Sequence, residues 1–400
     1  MRLISRMSAW SAAVAKDFVE LGRRQHAFQA VRPITATIFL TYRCNSRCAT
    51  CTLWKRPHHE EKRKEIDLDG WRIVIDRLRH AGIRSVEVFG GNVLLRKRLL
   101  IGILHYLKES GFTIHLPTNQ IGLDDEIAEA IIACVDFVYI STDGVGVHQD
   151  SIRGLRGSAK RAEGAITRLA RLRAAPVPPP KLVCNTTVSR HNVDILQEVA
   201  AYAEKSGFDE IHFEYCGEFT REHVAASTID GLLPTPYFLR QGNESILLDS
   251  AGARRLKDNV HEIRQLFSGT RFNVLSTNVD VLTEEHLCQG TIPHGRCYVE
   301  RTETTIDPSG NLIACPFINN YVIGNLVTHD FSTVWNNARH RRFRQVQNTL
   351  ELAVCQHCIL GVQRNPGVWT SLKRIYLNKL SGLTYRRRTP DRERDTSARV

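Results

Sequence analysis

The sequence predicts an α/β protein, a partial (β/α)6 barrel followed by a small C-terminal metal-binding domain. Three observations carry this. From residue 34, short β-branched or aromatic runs alternate with longer helical patterns, the mark of parallel strands joined by crossover helices. Directly after the first run stands Cys44-Asn-Ser-Arg-Cys48-Ala-Thr-Cys51, a C-x3-C-x2-C trio. Beyond residue 296 come Cys297, Cys315 and the pair Cys355-Gln-His-Cys358.

The six strands read as 34–41, 84–89, 112–117, 136–142, 181–188 and 209–215. Helical patterns follow at 68–81, 96–110, 124–133, 158–174 and 192–206, and more loosely after 216. Residues 176–180, Pro-Val-Pro-Pro-Pro, read as a stiff extended spacer. Residues 217–295 lose the rhythm apart from a helix near 249–268 and are expected to cover the barrel mouth and shape substrate choice. Glu300 to Asp307, the turn Pro308-Ser309-Gly310-Asn311 and Leu312 to Ala314 read as a hairpin between Cys297 and Cys315. The expected divisions are 1–32, 33–216, 217–295, 296–366 and 367–400.

Active groups of such folds gather at strand C-termini, where the cysteine trio sits. Three thiolates so close wrap one face of an iron-sulfur cube and leave one iron open to a small molecule. Zinc requires a fourth ligand at short spacing, and His58 and His59 lie in a charged stretch. For Cys297, Cys315, Cys355 and Cys358 the spacing alone suits either structural zinc or a second cluster. A chain that already holds one cluster favours another. Cys288 and His294 compete as ligands there, whereas Cys134 and Cys184 read as small buried residues. Cys216, at the end of the sixth strand, is expected to face the barrel mouth and is a candidate hydrogen-atom donor.

Eleven cysteines in 400 residues, clustered as trio and pairs, fit metal in a reducing compartment better than a disulfide scaffold. No run reaches the roughly 18 apolar residues of a membrane span, and no secretory apolar core opens the chain. The expected location is cytoplasmic. Most of the net charge of +12 sits at the two ends, where residues 1–32 hold six Lys/Arg against two acids and residues 372–400 hold nine against three. Both ends have helical apolar spacing. Each either docks its stripe on the body of the protein, the more common fate, or lies peripherally on the inner face of an anionic membrane. No interleaving of basic and aromatic residues points to nucleic acid.

Together these residues resemble the radical S-adenosylmethionine (radical SAM) superfamily with a C-terminal SPASM/twitch-type extension, over about residues 33–360. Cys44 to Cys51 is similar to its cluster loop and Phe89-Gly90-Gly91 to its glycine motif. Thr118-Asn119, Ser141-Thr-Asp143-Gly144, His148 to Gly157 and Asn185 are similar to its later strand ends. Cys297, Pro308 to Cys315, Gly324-Asn325-Leu326, Trp335, Cys355 and Cys358 resemble the extension. The resemblance implies a [4Fe-4S] cluster with an open iron, S-adenosylmethionine (SAM) and a second iron-sulfur cluster. It implies reductive SAM cleavage to a 5'-deoxyadenosyl radical that abstracts hydrogen. Gly90 and Gly91 are then expected to let backbone approach the methionyl group. Asn92, Thr118, Asn119, Ser141 and Arg153 are the further expected SAM-binding residues, Arg153 because its fork matches a carboxylate.

This chain departs from the family pattern at Asn92, where Glu is usual, and at Thr50, where a larger residue is common. Its four C-terminal cysteines are fewer than the seven ligands of a full SPASM domain and fit one auxiliary cluster. The expected substrate is a small molecule or a lipid-linked metabolite, with radical oxidation or rearrangement as the reaction and a flavodoxin or ferredoxin as electron donor. The alternatives are a peptide-modifying maturase, disfavoured by the short stretch before the first strand, and a non-catalytic iron-sulfur or SAM-binding protein, for which Asn92 argues.

Overall fold

Six strands fall where the apolar runs place them: β1 Thr35–Phe39, β2 Ser85–Phe89, β3 Thr113–Thr118, β4 Phe137–Ser141, β5 Lys181–Val188 and β6 Glu210–Tyr215. Each pairs in parallel with the next. This computed structural model describes residues 35–173, 179–276, 278–292, 299–348 and 351–360, together with Ala30, Pro33 and Cys297. The two basic ends, most of the Pro-rich connection and His294 lie outside the described residues.

The main crossover helices are α1 Leu68–His80, α2 Lys97–Glu109, α3 Asp125–Cys134, α4 Val147–Arg153, α5 Ser158–Leu172, α6 Leu196–Lys205 and α7 Ser250–Leu266. The first shows why the pattern is legible. Asp67 caps α1 by accepting from the Gly70 N–H, and Trp71, Val74, Ile75 and Leu78 form one buried stripe against the sheet. Along the strands, alternate residues such as Val86 and Val88 are buried under the helices. The intervening positions, among them Thr37, Glu87, His115 and Tyr139, face the inside of the barrel.

A seventh parallel strand, β7 Asn273–Ser276, follows α7 and pairs with β6. Sequence reading places only the helix there, since four residues are too few to show an alternation. The expected hairpin is present as β8 Glu303–Ile306 and β9 Asn311–Ile313, with β10 Val322–Asn325 antiparallel beside it. Its turn is held by Asp307, whose Oδ1 accepts from the N–H groups of Ser309 at 2.8 Å and Asn311 at 2.9 Å. Gly310 completes it at φ +78°, where any Cβ would meet the Val327 side chain at 2.6 Å. Because β8 pairs in parallel with β1, the hairpin joins the barrel sheet. One ten-stranded sheet results, in the order β10-β9-β8-β1-β2-β3-β4-β5-β6-β7.

Candidate active site and metal centres

The cysteine loop leaves β1 at its C-terminal end and is held from several directions. From β2, the N–H of Gly91 donates to Thr41 O at 2.9 Å and that of Asn92 to Arg43 O at 2.8 Å. A Cβ on Gly90 would stand 2.5 Å from Thr41 O, and one on Gly91 would stand 2.3 Å from Arg43 O. The two glycines therefore serve the approach of the cysteine loop itself, a role the expected contact with SAM did not include.

Asn92 is 2% exposed and fully engaged. Its Nδ2 donates to Asn45 Oδ1 and to Ile121 O, both at 2.9 Å, while its Oδ1 accepts from the Leu94 N–H at 3.1 Å. Two donors are required here, and a carboxylate has none. Asn92 thus ties the cysteine loop to the turn after β3. From that turn Asn119 Nδ2 reaches Ser46 Oγ at 3.3 Å and Cys44 Sγ at 3.9 Å.

The third direction is α4. Its last carbonyls accept from the loop, Arg153 O from Arg47 N at 3.1 Å and Ile152 O from Ala49 N at 2.9 Å. Arg153 Nη1 lies 3.8 Å from Cys48 Sγ, and Nη2 lies 2.8 Å from Asp143 Oδ2 at the end of β4. The second contact is a charge contact, since that oxygen has no hydrogen bond of acceptable angle. Burial pushes the Asp143 carboxyl up, and the neighbouring guanidinium opposes the rise. Arg153 Nε is buried without a hydrogen-bond partner.

Sequence reading missed the remaining supports. Glu65 takes a fork of hydrogen bonds from Arg43, 2.8 and 2.9 Å, accepts from the Thr41 hydroxyl, and pairs with Arg96 at 3.3 Å. On the opposite side the strap 235–241 crosses the loop. Thr52 N donates to Tyr237 O at 2.8 Å, and Gln241 Nε2 is shared by the carbonyls of Cys48, Ala49 and Cys51 at 2.9 to 3.0 Å. Gln241 lies some 190 residues from the loop it holds, and a lone Gln in an irregular segment carries no sequence signal.

Thr118 and Ser141 stand one step back from the loop. Thr118 Oγ1 accepts from Gln120 N at 3.1 Å, and Gln120 in turn donates to Ser141 O at 3.0 Å. His58 Nε2 donates to Cys44 O, 3.0 Å away, so it supports the loop rather than the thiols. Cys216 is corrected most clearly. It is fully exposed to no solvent, and burial, with the Glu218 charge next, pushes its thiol far up. A thiol enclosed at the end of β6 does not face the barrel mouth.

Of the second cysteine set, Cys355 lies on the short helix Ala353–Gln356, and the residues just after this helix reach the end of β6. A Cβ on Gly217 would touch Ile359 at 3.2 Å. Burial pushes the Cys355 thiol well up, and the charges of Cys297, Cys315 and Cys358 add to the rise. Cys288 contacts Ser250 Oγ at 4.0 Å instead. Cys134 contacts His105, and Cys184 lies beside Thr186.

The donor chemistry fits clusters at both places. Burial pushes Cys51 up to about 12 and raises Cys44 as well, a cost to the thiolates that a bound cation such as iron would offset. Among the described residues no three His, Cys, Asp or Glu side chains converge closely enough for a single metal ion. Thiolates around a cube stand farther apart, because each reaches a different iron.

The profile described as "Radical SAM superfamily" matches residues 38–203, and the one described as "Iron-sulfur cluster-binding domain" (SPASM) matches residues 297–359. The chain belongs to the radical SAM superfamily. Its membership brings a [4Fe-4S] cluster with an open iron, SAM, and further iron-sulfur binding in the C-terminal SPASM domain. This radical SAM chain is 28% identical to mycofactocin maturase MftC of Mycobacterium ulcerans (strain Agy99), over 84% of its length and 82% of the relative's. It is 24% identical to the PqqA peptide cyclase of Xanthomonas campestris pv. campestris (strain 8004), over 82% and 79%. Its fold resembles that of Streptococcus suis SuiB bound to S-adenosylmethionine, with a TM-score of 0.59 at 13% identity over 83% of this chain and 75% of that one. Native anSMEcpe with bound AdoMet gives 0.57 at 14% identity, over 88% and 100%.

Proposed function

We propose that this radical SAM chain is a peptide-modifying enzyme. The observation that carries the proposal is the reach of its likeness to mycofactocin maturase and PqqA peptide cyclase, which runs through both the barrel and the cluster-binding domain. The expectation of a small or lipid-linked substrate gives way to this reading, and the stretch before β1, outside the described residues, no longer weighs against it. The non-catalytic alternative rested on Asn92, which is accounted for by its hydrogen bonds to Asn45 and Ile121.

Cys44, Cys48 and Cys51 would hold the first cluster, and Cys297, Cys315, Cys355 and Cys358 the second. When bound, the first cluster with SAM supplies an oxidising radical at the barrel mouth. The chain's own groups then have distinct tasks. Arg153 sets positive charge beside Cys48, Asn119 touches Cys44, and the free Nε of Arg153 offers a donor to an anionic group of the ligand. Gly90 and Gly91 keep the loop seated against β2. Inside the barrel, Thr37 donates to Glu87 at 3.1 Å and His115 lies 3.2 Å from the Tyr139 hydroxyl, a polar lining suited to amide groups.

The test is anaerobic reconstitution followed by SAM, dithionite and the peptides encoded by short reading frames adjoining the gene, read by mass spectrometry. A changed peptide mass with 5'-deoxyadenosine release is expected. Release driven by small molecules or lipids, with every peptide mass unchanged, sinks the proposal.

A further inference from the structure

The strap 235–241 touches both cysteine sets. At one end Thr235 N donates to Phe317 O at 2.9 Å, two residues beyond Cys315, and Ile318 N donates to Cys315 O at 3.0 Å. At the other end Gln241 and Tyr237 O hold the Cys48 to Thr52 segment. Between them Tyr237, 8% exposed, packs its ring on Phe317 with centroids 4.9 Å apart, and Phe317 also meets Phe219 at 5.1 Å. The strap is itself anchored. Phe219 N donates to Phe238 O, Arg240 N donates to Phe219 O, and the buried Glu218 takes Arg240, Ser245 and the Ile246 N–H. Tyr237 thus meets the first set through its carbonyl, bonded to Thr52 N, and the second through its ring, packed on Phe317 two residues beyond Cys315.

We propose that Tyr237 and Phe317 form the path along which a single electron passes between the cluster on Cys44, Cys48 and Cys51 and the cluster on Cys297, Cys315, Cys355 and Cys358. Electron transfer across protein falls off steeply with each unbridged gap. Here the steps are the Cys51–Thr52 bond, the Thr52 to Tyr237 hydrogen bond, the ring contact and the short backbone run to Cys315. No bond breaks and no proton moves. One cluster is oxidised by one electron and the other reduced by one, and the electron enters from a low-potential one-electron donor of the flavodoxin or ferredoxin class. The proposal rests on the two-cluster assignment above and is independent of the substrate.

The experiment uses the full reconstituted chain, reduced with a substoichiometric pulse of dithionite, frozen at successive times and read by electron paramagnetic resonance (EPR). The Cys355→Ala/Cys358→Ala variant and a variant with Cys44, Cys48 and Cys51 replaced by Ala supply single-set reference spectra. Tyr237→Leu is expected to keep the iron count and both signals while slowing exchange between them severalfold, and Tyr237→Phe is expected to exchange at the rate of the unaltered chain. Unslowed exchange in an iron-replete Tyr237→Leu protein overturns the path, as does equal slowing by Tyr237→Phe. If Tyr237→Leu loses iron, Phe317→Leu is read by the same criterion. A missing second signal in the unaltered protein overturns the two-cluster assignment and the path with it, an outcome the iron count identifies separately.

Discussion

Arg153 sets one guanidinium nitrogen 3.8 Å from the sulfur of Cys48 while another pairs with Asp143 at 2.8 Å. A buried cation beside a ligand thiolate favours the reduced, more negative cluster. Arg153→Gln is therefore expected to lower the midpoint potential of the first cluster by about 60 mV, a tenfold change in a one-electron equilibrium. Potentiometric titration followed by EPR checks this. A potential unchanged in Arg153→Gln would leave Arg153 only the ligand contact.

Asn92 marks where reading by family pattern stops short. Restoring the usual acid, Asn92→Glu, or making Asn92→Asp, places a carboxylate against the acceptors Asn45 Oδ1 and Ile121 O. Leaving such buried groups unpaired costs about 1–3 kcal/mol. Both variants are expected to melt lower and to lose iron from the first cluster, without tighter SAM binding. Tighter SAM binding by Asn92→Glu at full iron content would refute the account.

Gln241 has one nitrogen for three loop carbonyls, at Cys48, Ala49 and Cys51. Gln241→Ala is expected to leave the fold intact and speed loss of the first cluster to an iron chelator by about tenfold, equivalent to about 1.4 kcal/mol. Chelation kinetics in the Cys355→Ala/Cys358→Ala background isolate that cluster.

The second cysteine set is tested by metal analysis. Cys355→Ala/Cys358→Ala removes two of the four proposed ligands and is expected to halve the iron content while Cys44, Cys48 and Cys51 keep theirs. Zinc lost in place of iron would make the set a zinc site.

What the sequence made legible follows from what local patterns encode. Strands β1 to β6 and the cysteine loop are written in short-range alternation and spacing, and they stand where expected. The parallel pairing of β8 with β1 joins residues about 270 positions apart, which no local pattern encodes. Glu65, Gln241 and Tyr237 belong to the same class, since each meets the cluster loop only through the fold. Cys216 failed for a related reason. A strand-end position is readable, but the covering of that end by residues 353–360 is a tertiary fact.

The SPASM region also carries a pH-sensitive element. His340 is 1% exposed, with its ring edge-on to Trp335 at 4.6 Å and Arg344 Nη2 at 3.1 Å from Nε2. Burial, and then the Arg344 charge, hold its pKa well below the ordinary histidine value. The folded protein therefore keeps the ring neutral while the unfolded chain protonates it near pH 6.5. Stability from this site is present above that pH and is lost as the pH falls below it toward the depressed folded value. For one proton the slope is about 1.4 kcal/mol per pH unit. The metal-free chain, in which acid lability of clusters plays no part, is expected to melt progressively lower from pH 6.5 to 5.5, and His340→Gln is expected to flatten that dependence. An equally steep fall in the variant would assign the sensitivity to another group.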